Sequence, residues 1–246
     1  MELVAELDGG SGLEEWAVRL SRYYDWLDIP DSPMGKPGPH SLLAACTLQA
    51  RHGLRVIPHV RLYDVTYTGF KAIAKTLAMT GIRRVVVLRG DPPRRGSRVE
   101  DLAPEEAMEI LRSKAPQVEV GLLLSMRKEW SMIEERLDQG PDFVLVLHYR
   151  AKGWEGMERL AREASRRDVK LIPYLVVTTR RNVSITSRLG NHSLVDESRV
   201  PEEAARLGRL VEGILFSAPG DLEALWRIAE RLTSKARGKT VGEAEY

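Results

Sequence analysis

The sequence predicts a (β/α)₈ barrel on three observations. Eight short runs rich in Val, Ile and Leu recur along the chain. Amphipathic stretches of helical period separate them, and no Pro/Gly/Ser-rich linker interrupts the alternation. A length of 246 residues suits one such barrel. A doubly wound open sheet is the competing arrangement.

The expected strands are Leu3–Leu7, Asp25–Ile29, Leu54–Val60, Arg84–Arg89, Val118–Leu124, Asp142–His148, Lys170–Val177 and Gly213–Ser217. Each is short and continuously apolar, as a strand covered on both faces should be. The four residues from Ser11 to Glu14 read as a capping box opening the first helix. Phe70, Ile73, Ala74, Leu77 and Ala78 share one helical face, with Gly81 as a stop. Met126, Trp130, Ile133 and Leu137 repeat the pattern up to Gly140, as do Trp154, Met157, Leu160, Ala161 and Ala164. Pro104 and Pro201 suit helix first turns. The segment Arg180–Arg199 is either a loop after the seventh strand or a further helix. The barrel is expected to span residues 1–234, with a polar tail over 235–246.

Composition narrows the function. A formal net charge of +2 gives no electrostatic case for nucleic acid. No apolar run is long enough to cross a membrane, and the N-terminus lacks a signal-peptide layout. A cytoplasmic protein is expected. Cys46 is the single cysteine, which excludes an internal disulfide and a Cys-based metal cluster. The five histidines show no ligand spacing, so no metal is expected. A Rossmann G-x-G-x-x-G after a strand and a P-loop are both missing.

A barrel carries its site at the C-terminal ends of its strands. The residues placed there are Glu6; Asp28, Asp31 and Ser32; His59, Arg61 and Asp64; Arg89, Gly90 and Asp91; Ser125; His148 and Tyr149; Thr178 and Thr179; and Ser217. Glu6 sits almost inside an apolar strand, where burial raises a carboxyl pKa; an ion pair with a nearby Arg is the plainer role. His59 suits a ligand contact or a structural hydrogen bond equally. Asp91 suits a turn, or a ligand approached closely at Gly90. Arg94, Arg95 and Arg98 form a basic loop, suited to a phosphate or to solvent.

The motifs IPH at 57–59 and GIRRVVVLRGDPP at 81–93, with the spacing between them, resemble the methylenetetrahydrofolate reductase family. Weaker similarity covers AEL at 5–7, DWLDIPDSPMG at 25–35 and the IPYL core within 169–176. The resemblance implies a flavin barrel. FAD would take hydride from NAD(P)H or another donor and pass it to 5,10-methylenetetrahydrofolate or a related pterin carrier. It makes Glu6 the acid that opens the five-membered ring. His59, Arg89, Gly90, Asp91, Ala103 and Arg136 would contact the cofactor. Asp31, His148 and Tyr149 are the candidate substrate contacts, and a homo-oligomer is compatible with the family. Several positions depart from the pattern. The family's Tyr-Pro-Glu-x-His stretch is replaced by Leu123, Leu124, Ser125, Met126 and Arg127. Leu147 stands where a pterin-binding glutamine is expected, Pro30 where a threonine is expected, and Leu102 where a tyrosine is expected. A non-redox pterin-binding homologue or partner subunit, or a reductase of a carrier such as a methanopterin, therefore remain alternatives.

Overall fold

A computed structural model describes residues 1–240 apart from 9, 11 and 190–192, with the backbone alone for 234–240. Eight parallel strands close into a barrel: β1 (Glu2–Glu6), β2 (Trp26–Ile29), β3 (Val56–Arg61), β4 (Arg84–Leu88), β5 (Glu119–Ser125), β6 (Phe143–Leu147), β7 (Lys170–Thr178) and β9 (Gly213–Ser217). Each pairs with its neighbour in chain order, β6 with β7, β7 with β9 and β9 with β1. The predicted (β/α)₈ barrel is the observed fold, and all eight expected strands lie within two residues of their predicted ends.

The helices are α1 (Leu13–Leu20), α2 (Ser41–His52), α3 (Tyr67–Leu77), α4 (Pro104–Lys114), α5 (Trp130–Asp138), α6 (Gly153–Ser165), α7 (Val183–Thr186), α8 (Val200–Leu207) and α9 (Leu222–Thr240). Pro104 opens α4, where its missing N–H costs nothing, and Thr66 caps α3 by accepting from Gly69 N. Gly12 precedes α1 with φ 82°; Ser11 of the expected capping box lies outside the described residues. Met126, expected to begin the fifth helix, instead lies in the turn after β5, and α5 starts at Trp130. Helix α9 runs through Thr240, past the expected start of the tail, whose last six residues are outside the described set. Within 180–199 the chain forms α7 and a strand too short to read from sequence, β8 (Leu194–Asp196), which pairs with the end of β7 beyond the barrel.

Side-chain alternation divides the core in two. Outward residues such as Ala5, Leu7, Leu27, Ile29, Val60, Val85 and Val87 join the helices in the larger cluster. Inward residues Val4, Trp26, Ile57, Val86, Phe143, Leu145, Ile172 and Leu215 fill the barrel. Below them a charged plug closes the N-terminal end. Arg84 bonds Glu2 and Glu119 at 2.6 Å each, Lys170 bonds Glu119 at 3.1 Å, and the Arg84 guanidinium lies 4.3 Å from the Trp26 ring centroid.

Candidate active site at the barrel mouth

The top inward layer splits into two continuous arcs. On β7, β9, β1, β2 and β3 it is polar, with Tyr174, Ser217, Glu6, Asp28 and His59. On β4, β5 and β6 it is apolar, with Leu88, Leu123 and Leu147. The split follows from the alternation: Glu6 continues the inward series of Val4, Asp28 that of Trp26, His59 that of Ile57, and Tyr174 that of Ile172.

The polar arc is one hydrogen-bonded network. Ser217 donates to Glu6 Oε1 and Tyr174 donates to Glu6 Oε2. The Tyr174 hydroxyl also lies 3.4 Å from Asp28 Oδ2. Asp28 Oδ1 is 2.9 Å from His59 Nε2, and both side chains are buried. Ser41 donates to the His59 carbonyl and ties α2 to this point of β3.

Burial, with the charge of Asp28 beside it, raises the Glu6 pKa; the bonds from Ser217 and Tyr174 and the charge of His59 oppose the rise without cancelling it. Burial by itself would keep His59 neutral, but Asp28, with Glu6 and Asp31 further off, outweighs it and raises the His59 pKa. Tyr174 is pushed well above the ordinary range by burial and by the two carboxylates. The mouth therefore holds a half-buried carboxyl group whose neutral form is favoured, linked through Tyr174 and Asp28 to a histidine whose charged form is favoured.

Against the apolar arc lies a cavity of about 630 Å³, lined by Leu88, Leu123, Leu147, Arg89, Gly90, Asp91, Pro104, Glu105, Arg136 and His148. This size is within the usual range for small-molecule sites. Arg136 on α5 is ion-paired to Glu105 on α4. His148, at φ 55°, has its Nδ1 3.0 Å from Ser125 Oγ. Gly90 has φ 84°, and a Cβ there would lie 2.6 Å from Arg61 Cγ, so the β4 loop and β3 approach closely only because this residue is glycine.

The expected site residues thus fall into groups. Glu6 and His59 join in the polar arc, with Asp31 half-buried beside it and accepting from Ser32 Oγ at 3.0 Å. Arg89, Gly90, Asp91, Arg136 and His148 meet at the cavity. Asp91 is exposed, and its Oδ2 accepts from Met34 N at 2.8 Å, fastening the β4 loop to the β2 loop. Ala103 stands at the head of α4, where its N–H donates to Glu106 at 2.8 Å. Tyr149 corrects the expectation of a substrate contact. It is buried in the helix-facing core, and its hydroxyl donates to Glu203 at 2.7 Å, because it follows the sharp turn at His148 and points away from the mouth. Sequence reasoning missed Tyr174; the period-two series Ile172, Tyr174 was the available signal. Among the described residues no group of three or more His, Cys, Asp or Glu is placed to hold a metal ion, and no helix is long and apolar enough to cross a membrane.

A parallel α/β barrel with an acid–histidine network at its C-terminal mouth defines the class. The methylenetetrahydrofolate reductase family model matches residues 8–191, and the chain belongs to that family. The match begins two residues after Glu6 and ends before β8 and β9. A search of curated proteins finds no match. Among solved structures, a Clostridium thermocellum protein described as binding two copies of 5-methyl-5,6,7,8-tetrahydrofolic acid superposes with TM-score 0.64 at 12% identity, over 95% of this chain and 94% of that one. The tryptophan synthase complex of Pyrococcus furiosus superposes with TM-score 0.58 at 12% identity, over 95% and 98%. A mutant tryptophan synthase α-subunit of the same organism gives 0.60 at 10% identity, over 95% and 98%. At these identities the likeness is one of fold.

Proposed function

We propose that the protein reduces a 5,10-methylene-tetrahydropterin carrier to its 5-methyl form, with Glu6 as proton donor and FAD bound along the mouth. The observation that carries this reading is Glu6: a carboxyl group of raised pKa on the mouth floor, oriented by Ser217 and Tyr174, in a chain of this family. The Clostridium thermocellum protein of the same fold binds the methylated form of such a carrier, which supports the substrate class.

Opening the five-membered ring requires a proton on the departing nitrogen, leaving an iminium carbon to accept hydride. Glu6 supplies that proton. Each oxygen accepts one hydrogen bond and keeps a second lone pair for the proton. The Tyr174 hydroxyl also reaches Asp28 Oδ2 at 3.4 Å, which links Glu6 to the rest of the network. Asp28 and His59 form the far end of the same network and serve as the source from which Glu6 is reprotonated.

The residues present fit a flavin. Leu88, Leu123 and Leu147 offer an apolar wall to a flat ring, Gly90 permits close backbone approach, and Arg89 and Arg136 are cations suited to phosphate oxygens. Bound there, FAD supplies the hydride, taken from NAD(P)H or another donor. Titrating FAD into the protein should quench flavin fluorescence with a Kd in the micromolar range or tighter, on the order of −8 kcal/mol. A second reading has its own support: Leu123 and Leu147, apolar where the family carries polar groups, favour a pterin-binding homologue without hydride transfer. Absence of quenching together with retained binding of 5-methyltetrahydrofolate would establish that second reading.

A further inference from the structure

Arg61 ends β3 one inward position above His59, and its side chain is 3% exposed. Only one edge of its guanidinium is engaged: Nη1 lies 3.4 Å from Asp64 Oδ2. Nε and Nη2 are buried and have no hydrogen-bond partner. These two N–H groups lie on the same edge of the guanidinium plane and form a fork that matches two oxygens of a carboxylate or phosphate. A buried cation with an unfilled fork is costly, and folded proteins fill such groups with protein, water or ligand.

The surroundings point to a ligand. Gly90, a wall of the mouth cavity, packs on the aliphatic part of Arg61, and a Cβ there would strike Cγ, Cδ and Nε. The loop that covers the fork carries Arg89, Arg94 and Arg95, all exposed. Asp64 faces Nη1 of Arg61 and not the fork, and Asp91 of the β4 loop is engaged by Met34 N. The cover is a loop hung from its neighbours by the bonds Asp91–Met34, Arg94–Gly35, Tyr63–Arg89 and Val99–Tyr63.

We propose that the Nε/Nη2 edge of Arg61, beneath Gly90, is an oxyanion subsite that receives a carboxylate or phosphate group of the molecule bound in the mouth. The subsite does not depend on the reductase reading, because the fork recognises the oxyanion whatever ring carries it.

The test is a titration followed at the Arg61 Nε–Hε resonance, assigned through bonds in the wild-type protein. Inorganic phosphate and, separately, acetate are added at constant ionic strength against a chloride control. A saturable shift of this resonance in the millimolar range is expected with at least one oxyanion and not with chloride. A response to phosphate alone assigns the fork to a phosphate group, and a response to acetate extends it to a carboxylate. Arg61→Lys, which keeps the charge and loses the fork, should weaken the same binding at least tenfold, read by calorimetry. An Arg61 resonance that ignores both oxyanions, or moves equally with chloride, overturns the proposal. Such a failure would leave the role of Glu6 untouched, since neither probe carries a pterin or takes part in proton transfer.

Discussion

His59 Nε2 and Asp28 Oδ1 lie 2.9 Å apart on adjacent strands, both buried in the mouth floor and both connected through Tyr174 to Glu6. The buried Asp28 carboxylate favours the charged form of the imidazole. The His59 pKa, followed by its ring-carbon chemical shift, should lie above the ordinary 6.5. Asp28→Asn should move it down. A raised folded-state pKa means that the native protein binds more protons than the unfolded chain. The stabilisation from His59 is then complete below 6.5 and is lost as pH rises through the folded value. Urea midpoints should fall over that window in the wild type and stay flatter in His59→Gln.

Tyr174 tests the network from its other end. Tyr174→Phe removes a donor to a charged group, an interaction worth about 1.5–3 kcal/mol, so turnover of the methylene carrier should drop roughly 10–100-fold. Because the Tyr174 bond holds the Glu6 pKa down, its loss should move the alkaline limb of the pH profile to higher pH. A merely structural tyrosine would leave that limb in place.

The other end of the barrel makes a separate prediction. Arg84→Ala removes the cation that Glu2 and Glu119 share, leaving Glu119 only Lys170, and empties a site packed between Trp26 and Phe143. Because both carboxylates are about a third exposed, a loss of about 1–3 kcal/mol is expected from urea unfolding. Ligand affinity of the variant, measured where it remains folded, should match the wild type.

Gly121 makes the fourth. It faces inward on β5, where a Cβ would lie 2.3 Å from the Phe143 ring. Gly121→Ala must displace the aromatic that fills the barrel centre, and should cost about 1–3 kcal/mol by overpacking, read as a lowered Tm.

The barrel was legible because its strands are apolar on both faces and its helices are periodic; neither signal needs long-range information. Glu6 and His59 were legible for a related reason, since a charged residue in such a run stands out. Tyr174 was not, because tyrosine is an ordinary strand residue and only closure of β7 against β9 and β1 brings its hydroxyl to Glu6. Tyr149 misled because a polar-tipped residue at a strand end can face either way. The positive φ of His148 decides this, and sequence does not encode it visibly. Asp91 shows two loops, distant in sequence, joined by one carboxylate. β8 escaped notice because three residues carry no readable period.

The role proposed for Glu6 is donation of the proton that opens the carrier ring. Its most direct test is rapid mixing of the pre-reduced, flavin-loaded protein with 5,10-methylenetetrahydrofolate, comparing wild type with Glu6→Gln. Flavin reoxidation by the folate should fall roughly 10²–10⁴-fold in the variant, while reduction of the same flavin by its donor should hardly change. Equal reoxidation rates in the two proteins, or a parallel fall in both half-reactions, would contradict it.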